Sequence, residues 1–139
     1  MMNTLIIDDE PLALDVLETY ITQMPELNLV GRCSNALEAN EMLRNNQIDL
    51  IFLDIQMPQL SGVDFIKTLT NPQMFIFTTA YSNYALDGFE LNAIDYLLKP
   101  ISLDRFMKAV NKATEQLNCA NAKRIQKLEL RERALNSSL

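Results

Sequence analysis

Residues 50–54 read LIFLD, four consecutive apolar side chains followed by an aspartate. A short run without polar interruption is typical of a strand that is buried on both faces of a parallel sheet. The pattern recurs along the chain, and each run is closed by a polar or turn residue. The further runs are Leu5–Ile7 before Asp8, Leu27–Val30 before Gly31, Met74–Phe77 before Thr78 and Ile94–Leu98 before Lys99.

Stretches with helical periodicity separate these runs. Apolar residues recur at helical spacing in about residues 12–21 and 36–43, more weakly in 63–69 and 84–91, and clearly again from Leu103. Five strands that alternate with five helices predict an α/β fold, a (βα)5 doubly wound parallel sheet. Right-handed crossovers favour the flavodoxin-like strand order 2-1-3-4-5. In such a sheet the functional site lies at the carboxyl ends of the strands, near the first and third.

The composition restricts the classes of function. The 139 residues carry a formal net charge of −6, which disfavours a general grip on nucleic acid because such a grip requires clustered cations. The sequence contains no histidine, which excludes Ser–His catalysis and histidine-ligated metals within it. The two cysteines, Cys33 and Cys119, have no metal-binding or redox spacing. With no apolar run near ~18 residues and no secretion signal, we expect a cytoplasmic protein without a membrane partner.

Carboxylates close the first and third predicted strands. Asp8 and Asp9 follow the first run, and Asp54 follows the third. Three carboxylates at one sheet edge repel each other, so such a cluster either raises a pKa or binds a hard cation. Mg²⁺ suits it, because this ion prefers oxygen ligands and bridges carboxylates to phosphate. One aspartate would remain available as a nucleophile for phosphoryl transfer.

The fourth and fifth predicted strands end in groups that suit a phosphoryl site. Lys99, which is followed by Pro100, can supply an ammonium, and Thr79 can donate a hydrogen bond from its hydroxyl. Phosphoryl transfer requires mainly alignment and charge neutralisation. Four of the five strand ends therefore carry groups that a phosphorylated aspartate needs.

Four segments together resemble the signature segments of the receiver domains of two-component response regulators. They read LIIDDEP, IFLDIQMPQLSG, FTTAY and DYLLKP, and they occur in the family's order and spacing. Each segment is weak evidence alone, and the four together are specific. The resemblance covers about residues 3–118, so residues 1–119 are interpreted as a receiver domain.

The resemblance implies a phosphoacceptor site with Mg²⁺ as its cofactor. Asp54 would be the phosphoacceptor. The metal would be held by Asp8, Asp9, Asp54 and the backbone carbonyl of Gln56. Gly62 would shape the loop after the acceptor.

The resemblance also implies a switch. Thr79 and Lys99 would contact the phosphoryl group, the Lys99–Pro100 peptide bond would be cis, and Tyr96 would be the aromatic switch residue. A sensor histidine kinase would be the donor. Phosphorylation would then alter the face formed by the fourth helix, the fifth strand and the fifth helix, and it would favour a homodimer.

A finer resemblance concerns the phrases DDEPLALDVL, TAYSNYALDGFELNAIDYLLKPI and DRFMKAV. They are similar to receivers of the LytTR (LytR/AlgR-like) subgroup, whose members carry a C-terminal LytTR DNA-binding domain. Residues 120–139 lack Gly and Pro and are locally basic. We interpret them as a helical linker towards an absent output domain. DNA would be bound only through that domain, and transcription would be the regulated process.

Two other functions fit parts of this pattern. One is a small Mg²⁺-dependent phosphatase or phosphotransferase with an aspartate nucleophile, although such enzymes usually show D-x-D where this chain has DDE. The other is a protein-binding module that acts without phosphorylation. We expect a phosphoacceptor with at most slow self-dephosphorylation rather than an enzyme. The remaining acids are expected to be solvated, turn or cap residues: Asp49, Asp64, Asp87, Asp95 and Asp104.

Overall fold

The computed structural model describes residues 1–81 and 91–137, and it contains a five-stranded parallel sheet. The strands follow the order β2-β1-β3-β4-β5. The fold class and strand order expected from the sequence are therefore confirmed. The strands are β1 (Met2–Ile7), β2 (Leu27–Cys33), β3 (Leu50–Asp54), β4 (Met74–Thr79) and β5 (Asp95–Leu98).

Helices cover both faces of this sheet. They are α1 (Pro11–Thr22), α2 (Ala36–Asn45), α3 (Gly62–Thr68) and a C-terminal helix (Leu103–Ser137). The helix expected at about residues 84–91 falls almost wholly outside the described residues. No helix within the described ranges combines the length and apolar character needed to cross a membrane.

The sheet separates two apolar layers, and alternation along each strand decides which side chain enters which layer. One layer packs α1 and the C-terminal helix on the sheet, where Phe52 stacks on Phe106 with ring centroids 5.0 Å apart. The other layer packs α2 and α3 on the opposite face, around residues such as Phe77 and Phe65. Each large side chain buried in this way contributes about 1.5–3 kcal/mol.

The second strand is longer than the sequence indicated. Gly31 was expected to close this strand, but β2 continues to Cys33. The register explains the difference, because Thr4 pairs with Leu29 and Leu5 pairs with Gly31. Val30 is the extra residue of a β-bulge, and the strand resumes beyond it.

The C-terminal helix continues far beyond the core. Ala113 is its last buried residue, and residues 118–137 are all exposed. Its helical character agrees with the expected extension. The division between a receiver and a linker near Cys119 stays a prediction.

Candidate functional site at the carboxyl edge of the sheet

The central strands carry the site residues to one edge of the sheet. Asp54 is the last residue of β3, and Asp8 and Lys99 directly follow β1 and β5. Backbone hydrogen bonds fix these exits: Asp8 N donates to the carbonyl of Cys33 at 3.0 Å, and Lys99 N donates to that of Thr79 at 2.7 Å. The residues that the sequence placed at strand ends therefore meet in space.

Three carboxylates form a compact cluster. One oxygen atom from each of Asp8, Asp9 and Asp54 lies within 4.8 Å of the others. Asp8 and Asp54 are buried, whereas Asp9 is exposed. Buried carboxylates at this separation are unstable as neighbouring anions unless cations compensate them.

Lys99 supplies part of that compensation. Its Nζ lies 2.8 Å from Asp8 Oδ2 and 3.3 Å from Asp54 Oδ2. Both contacts are protected from water, because the Lys99 side chain is only 16% exposed. One ammonium is thus shared between two buried carboxylates.

The shared cation leaves Asp54 short of positive charge. Burial and the negative charge of Asp8 raise the pKa of Asp54 to about 7, although Lys99 opposes the shift. Burial alone would lower the pKa of Lys99, but its contacts with Asp8 and Asp54 outweigh burial and raise it. The Lys99 ammonium therefore stays charged, whereas the Asp54 carboxyl group gains and loses its proton near pH 7.

A cavity of about 730 Å³ opens beside Asp54. Its walls include Asp9, Gln56, Ala80 and Lys99. Ala80 contributes only a methyl group to this wall. A phosphoryl group and its donor can therefore reach the Asp54 carboxylate from solvent.

The loop after β3 orients the acceptor. Gln56 N donates to Asp54 Oδ1 at 3.2 Å. Gly62 lies against the backbone of Asp54, and any larger residue there would place its Cβ against the carbonyl oxygen of Asp54. Gly62 N also donates to the carbonyl of Ile55 at 2.8 Å. A larger residue at position 62 would therefore push this loop away from Asp54.

Thr79 and Tyr96 lie on the face of the sheet that α2 and α3 cover, opposite the face of Asp54. Tyr96 pairs with Phe77 in the β4–β5 register, and their ring centroids are 5.5 Å apart. The Tyr96 hydroxyl oxygen is buried, so the ring already lies inward. Thr79 is buried, two residues beyond Phe77, and its Oγ1 accepts from Tyr81 N at 3.0 Å. The Lys99–Pro100 peptide bond is cis.

The donor set fits a hard divalent cation. Three clustered carboxylates face one ammonium, so the site carries excess negative charge. All the side-chain donors are oxygens, which Mg²⁺ prefers. The expected ligands Asp8, Asp9 and Asp54 are thus brought together, and Gln56 lies on the wall of the same cavity.

Asp95 does not fit the expectation of a solvated residue. Arg105 donates two hydrogen bonds to its carboxylate, each 2.7 Å long, and Lys112 donates a third at 3.1 Å. The Asp95 side chain is only 9% exposed. The expectation was wrong because both cations come from the C-terminal helix, 10 and 17 residues further along the chain.

Sequence reasoning also missed Thr78. It precedes Thr79 in β4, is fully buried and pairs with Asp54 in the sheet register. The family motif pointed only to the adjacent Thr79, as a residue that contacts the phosphoryl group. Strand alternation was the available signal, because it places Thr78 on the Asp54 face.

Most of this chain matches known sequences. The family model for the response regulator receiver domain matches residues 4–111. The sensory transduction protein LytR of Staphylococcus haemolyticus is 42% identical over 123 residues, which are 86% of this chain and 48% of LytR. The transcriptional regulatory protein BtsR of Escherichia coli strain K12 is 39% identical over 119 residues, 84% of this chain and 49% of BtsR. The chain thus spans about half the length of these relatives.

Solved structures agree with these matches. The response regulatory domain of protein mrkE from Klebsiella pneumoniae has 33% sequence identity and a TM-score of 0.76, over 83% of this chain and 97% of that chain. The REC domain of AraT, a response regulator from Geobacillus stearothermophilus, has 28% identity and a TM-score of 0.75, over 86% and 98% of the two chains.

Proposed function

Since this chain belongs to the family of response regulator receiver domains, we propose that it is a phosphorylation-activated switch whose Asp54 accepts a phosphoryl group. One observation carries the proposal. Asp54 is a buried carboxylate that shares a single ammonium with Asp8 and borders an open cavity. Phosphorylation would remove the negative charge from this buried carboxylate. The charge would then lie on the phosphoryl oxygens, which other residues can bind.

The phosphoryl group would come from a phosphohistidine of a sensor histidine kinase. A carboxylate oxygen of Asp54 attacks phosphorus, an O–P bond forms and the P–N bond of the donor breaks. The electron pair of that bond leaves with the imidazole. The 139 residues contain no histidine, so the donor lies outside them.

Lys99 neutralises charge during this transfer. Its ammonium is held beside Asp54 by two carboxylates, and its raised pKa keeps it charged throughout the physiological range. A preorganised cation of this kind stabilises the charge that develops on the phosphoryl oxygens.

Mg²⁺ is the cofactor that we propose for this site. Asp8, Asp9, Asp54 and the backbone carbonyl of Gln56 would hold it. When bound, the ion would neutralise phosphoryl oxygens and lower the pKa of the acceptor. The excess of carboxylates over cations supports this assignment.

The signal would pass through the face that carries Thr79 and Tyr96. Thr79 would donate its hydroxyl to the phosphoryl group, and Tyr96 would secure the new arrangement from its inward position against Phe77. The surface formed by the predicted fourth helix, β5 and the C-terminal helix would change with them. Phosphorylation would shift an existing equilibrium towards a homodimer.

The output would be control of transcription by a LytTR-type DNA-binding domain. LytR and BtsR are about twice as long as the matched region, and BtsR is a transcriptional regulatory protein. The exposed end of the C-terminal helix would lead to that domain. Receiver domains are in general signalling phosphoacceptors rather than enzymes, so we propose no turnover beyond slow loss of the aspartyl phosphate.

Intact-mass spectrometry tests this function. The chain is treated with acetyl phosphate and Mg²⁺, beside Asp54→Asn and the control Asp95→Asn, which changes another aspartate whose side chain is only 9% exposed. The original chain and Asp95→Asn should each gain one phosphoryl group, whereas Asp54→Asn should gain none. A gain by Asp54→Asn, or none by the original chain, would contradict the proposal.

A further inference from the structure

A row of side chains crosses the sheet at the level of Asp54. Asp54 pairs with Thr78 in the β3–β4 register, and Thr78 pairs with Leu97. Asp8 follows Ile6 by two residues, and Ile6 pairs with Phe52, which precedes Asp54 by two. Paired residues of parallel strands point to the same face, and so do residues two apart. The row therefore reads Asp8, Asp54, Thr78 and Leu97 on one face.

The apolar layers confirm this parity. The preceding row contains Ile6, Phe52 and Ile76, and all three belong to the layer under α1 and the C-terminal helix. Leu97 belongs to the same layer. Lys99, two residues after Leu97, extends over this face and reaches Asp54.

Thr78 is the anomalous member of this row. It is fully buried, and its hydroxyl has no hydrogen-bond partner among the described residues. A buried hydroxyl without a partner costs about 1–3 kcal/mol. Valine has almost the same shape without that cost, and the rest of this strand segment is apolar up to Phe77. The presence of the hydroxyl is explained if Thr78 has a hydrogen-bond partner in another state of the site.

Within this row, the Asp54 carboxylate is the hydrogen-bond acceptor at the position paired with Thr78. At present its Oδ1 accepts from Gln56 N and its Oδ2 from Lys99 Nζ. If Lys99 turned to an incoming phosphoryl group, Oδ2 would lose this donor. Thr78 lies on the neighbouring strand at the position paired with Asp54. Rotation about its χ1 angle gives the hydroxyl other staggered positions.

We propose that Thr78 is a positioning residue, whose hydroxyl donates a hydrogen bond to the Asp54 carboxylate when Lys99 turns to the phosphoryl group. The hydrogen bond fixes the carboxylate in the orientation for attack. This inference rests on the proposed phosphoacceptor function of Asp54. It separates the two adjacent threonines by face: Thr79 lies with Tyr96 on the switch side, and Thr78 lies with the reacting carboxylate.

The experiment measures phosphorylation rates of the full 139-residue chain over a range of acetyl phosphate concentrations with Mg²⁺, by intact mass. Thr78→Val should lower the rate constant at saturation about tenfold, the effect of one lost hydrogen bond to a charged group. The half-saturating concentration should stay within about twofold, because Thr78 does not touch the donor. Thr78→Ser should restore most of the rate.

Thr4→Val is the matched control. Thr4 is equally buried, but its hydroxyl already donates to the carbonyl of Met2 at 3.1 Å. Thr4→Val should lower the urea midpoint and leave the phosphorylation rate unchanged. Thr78→Val should leave the midpoint unchanged or raise it, because it removes an unpaired hydroxyl.

Three outcomes would overturn the role of Thr78. They are an unchanged rate in Thr78→Val, a Thr78→Ser rate as low as that of Thr78→Val, and a rate loss that accompanies a fall in the urea midpoint. If the original chain itself takes up no phosphoryl group, the proposed function fails instead, so the two failures are distinguishable.

Discussion

Asp54 and Asp95 are both withdrawn from water in the same sheet, yet their pKa values move in opposite directions. The pKa of Asp54 rises to about 7, and that of Asp95 falls to about 2. Burial acts in the same sense on both, since it disfavours the charged carboxylate. The difference in pKa therefore comes from the charges and hydrogen-bond donors around each carboxylate.

The count of cations explains the contrast. Asp95 accepts hydrogen bonds from Arg105, from the backbone N–H of Tyr96 and from Lys112, and together these outweigh its burial. Asp54 shares Lys99 with Asp8, and the charge of Asp8 adds to the effect of burial. Asp95 is thus a structural ion-pair residue that joins β5 to the C-terminal helix. Asp54 retains an unmet demand for positive charge, which a metal and a phosphoryl group can satisfy.

Removal of Lys99 should have the largest effect, because it deepens the deficit at Asp54. Lys99→Met should slow phosphorylation by acetyl phosphate about a hundredfold, as expected for loss of a preorganised charge at a transferring group. The rate can be followed by intact mass in the presence of Mg²⁺. Lys112→Met removes a cation from Asp95 instead and should leave the rate unchanged. Equal phosphorylation rates for Lys99→Met and Lys112→Met would contradict the claim that only the cation beside Asp54 assists the transfer.

Asp95→Asn should destabilise the protein, by about 2 kcal/mol near pH 7. The folded pKa of about 2 lies below the ordinary value of 3.8, so the ionised form stabilises the fold. This contribution is complete above about pH 4 and is lost as the pH falls through about 2. Urea unfolding of the original chain and the variant between pH 7 and pH 2 measures it. A constant difference across that range would exclude the ionised carboxylate as its source.

Asp54→Asn should have the opposite and smaller effect on stability, a gain of about 1–2 kcal/mol at pH 8 without Mg²⁺. The folded pKa of about 7 lies above the ordinary value of 3.8, so ionisation of Asp54 opposes folding. The cost is absent below about pH 4, grows as the pH rises, and is complete above about 7. The gain in Asp54→Asn should therefore appear between these values in urea unfolding. A loss of stability at pH 8 would mean that the ionised Asp54 is satisfied like Asp95.

Much of the site followed from the sequence because its parts are strand ends. Apolar runs locate the strands, and parallel pairing brings their carboxyl ends to one edge, so Asp8, Asp54 and Lys99 were placed together correctly. The sheet order followed for the same reason, since five buried runs alternate with helical stretches.

The errors have a common physical origin in contacts that no local pattern records. Asp95 meets Arg105 and Lys112 only because the C-terminal helix crosses β5. The bulge at Val30 depends on the register with β1. The positioning role that we propose for Thr78 depends on its pairing with Asp54, a residue on another strand.

Borohydride trapping gives the most direct test of the claim that Asp54 is the acceptor. Borohydride reduces an aspartyl phosphate to homoserine, which peptide mass spectrometry then locates after treatment with acetyl phosphate and Mg²⁺. The account predicts homoserine at position 54 and aspartate unchanged at positions 8, 9 and 95. Homoserine at any of those three positions, or at none of the four, would contradict it.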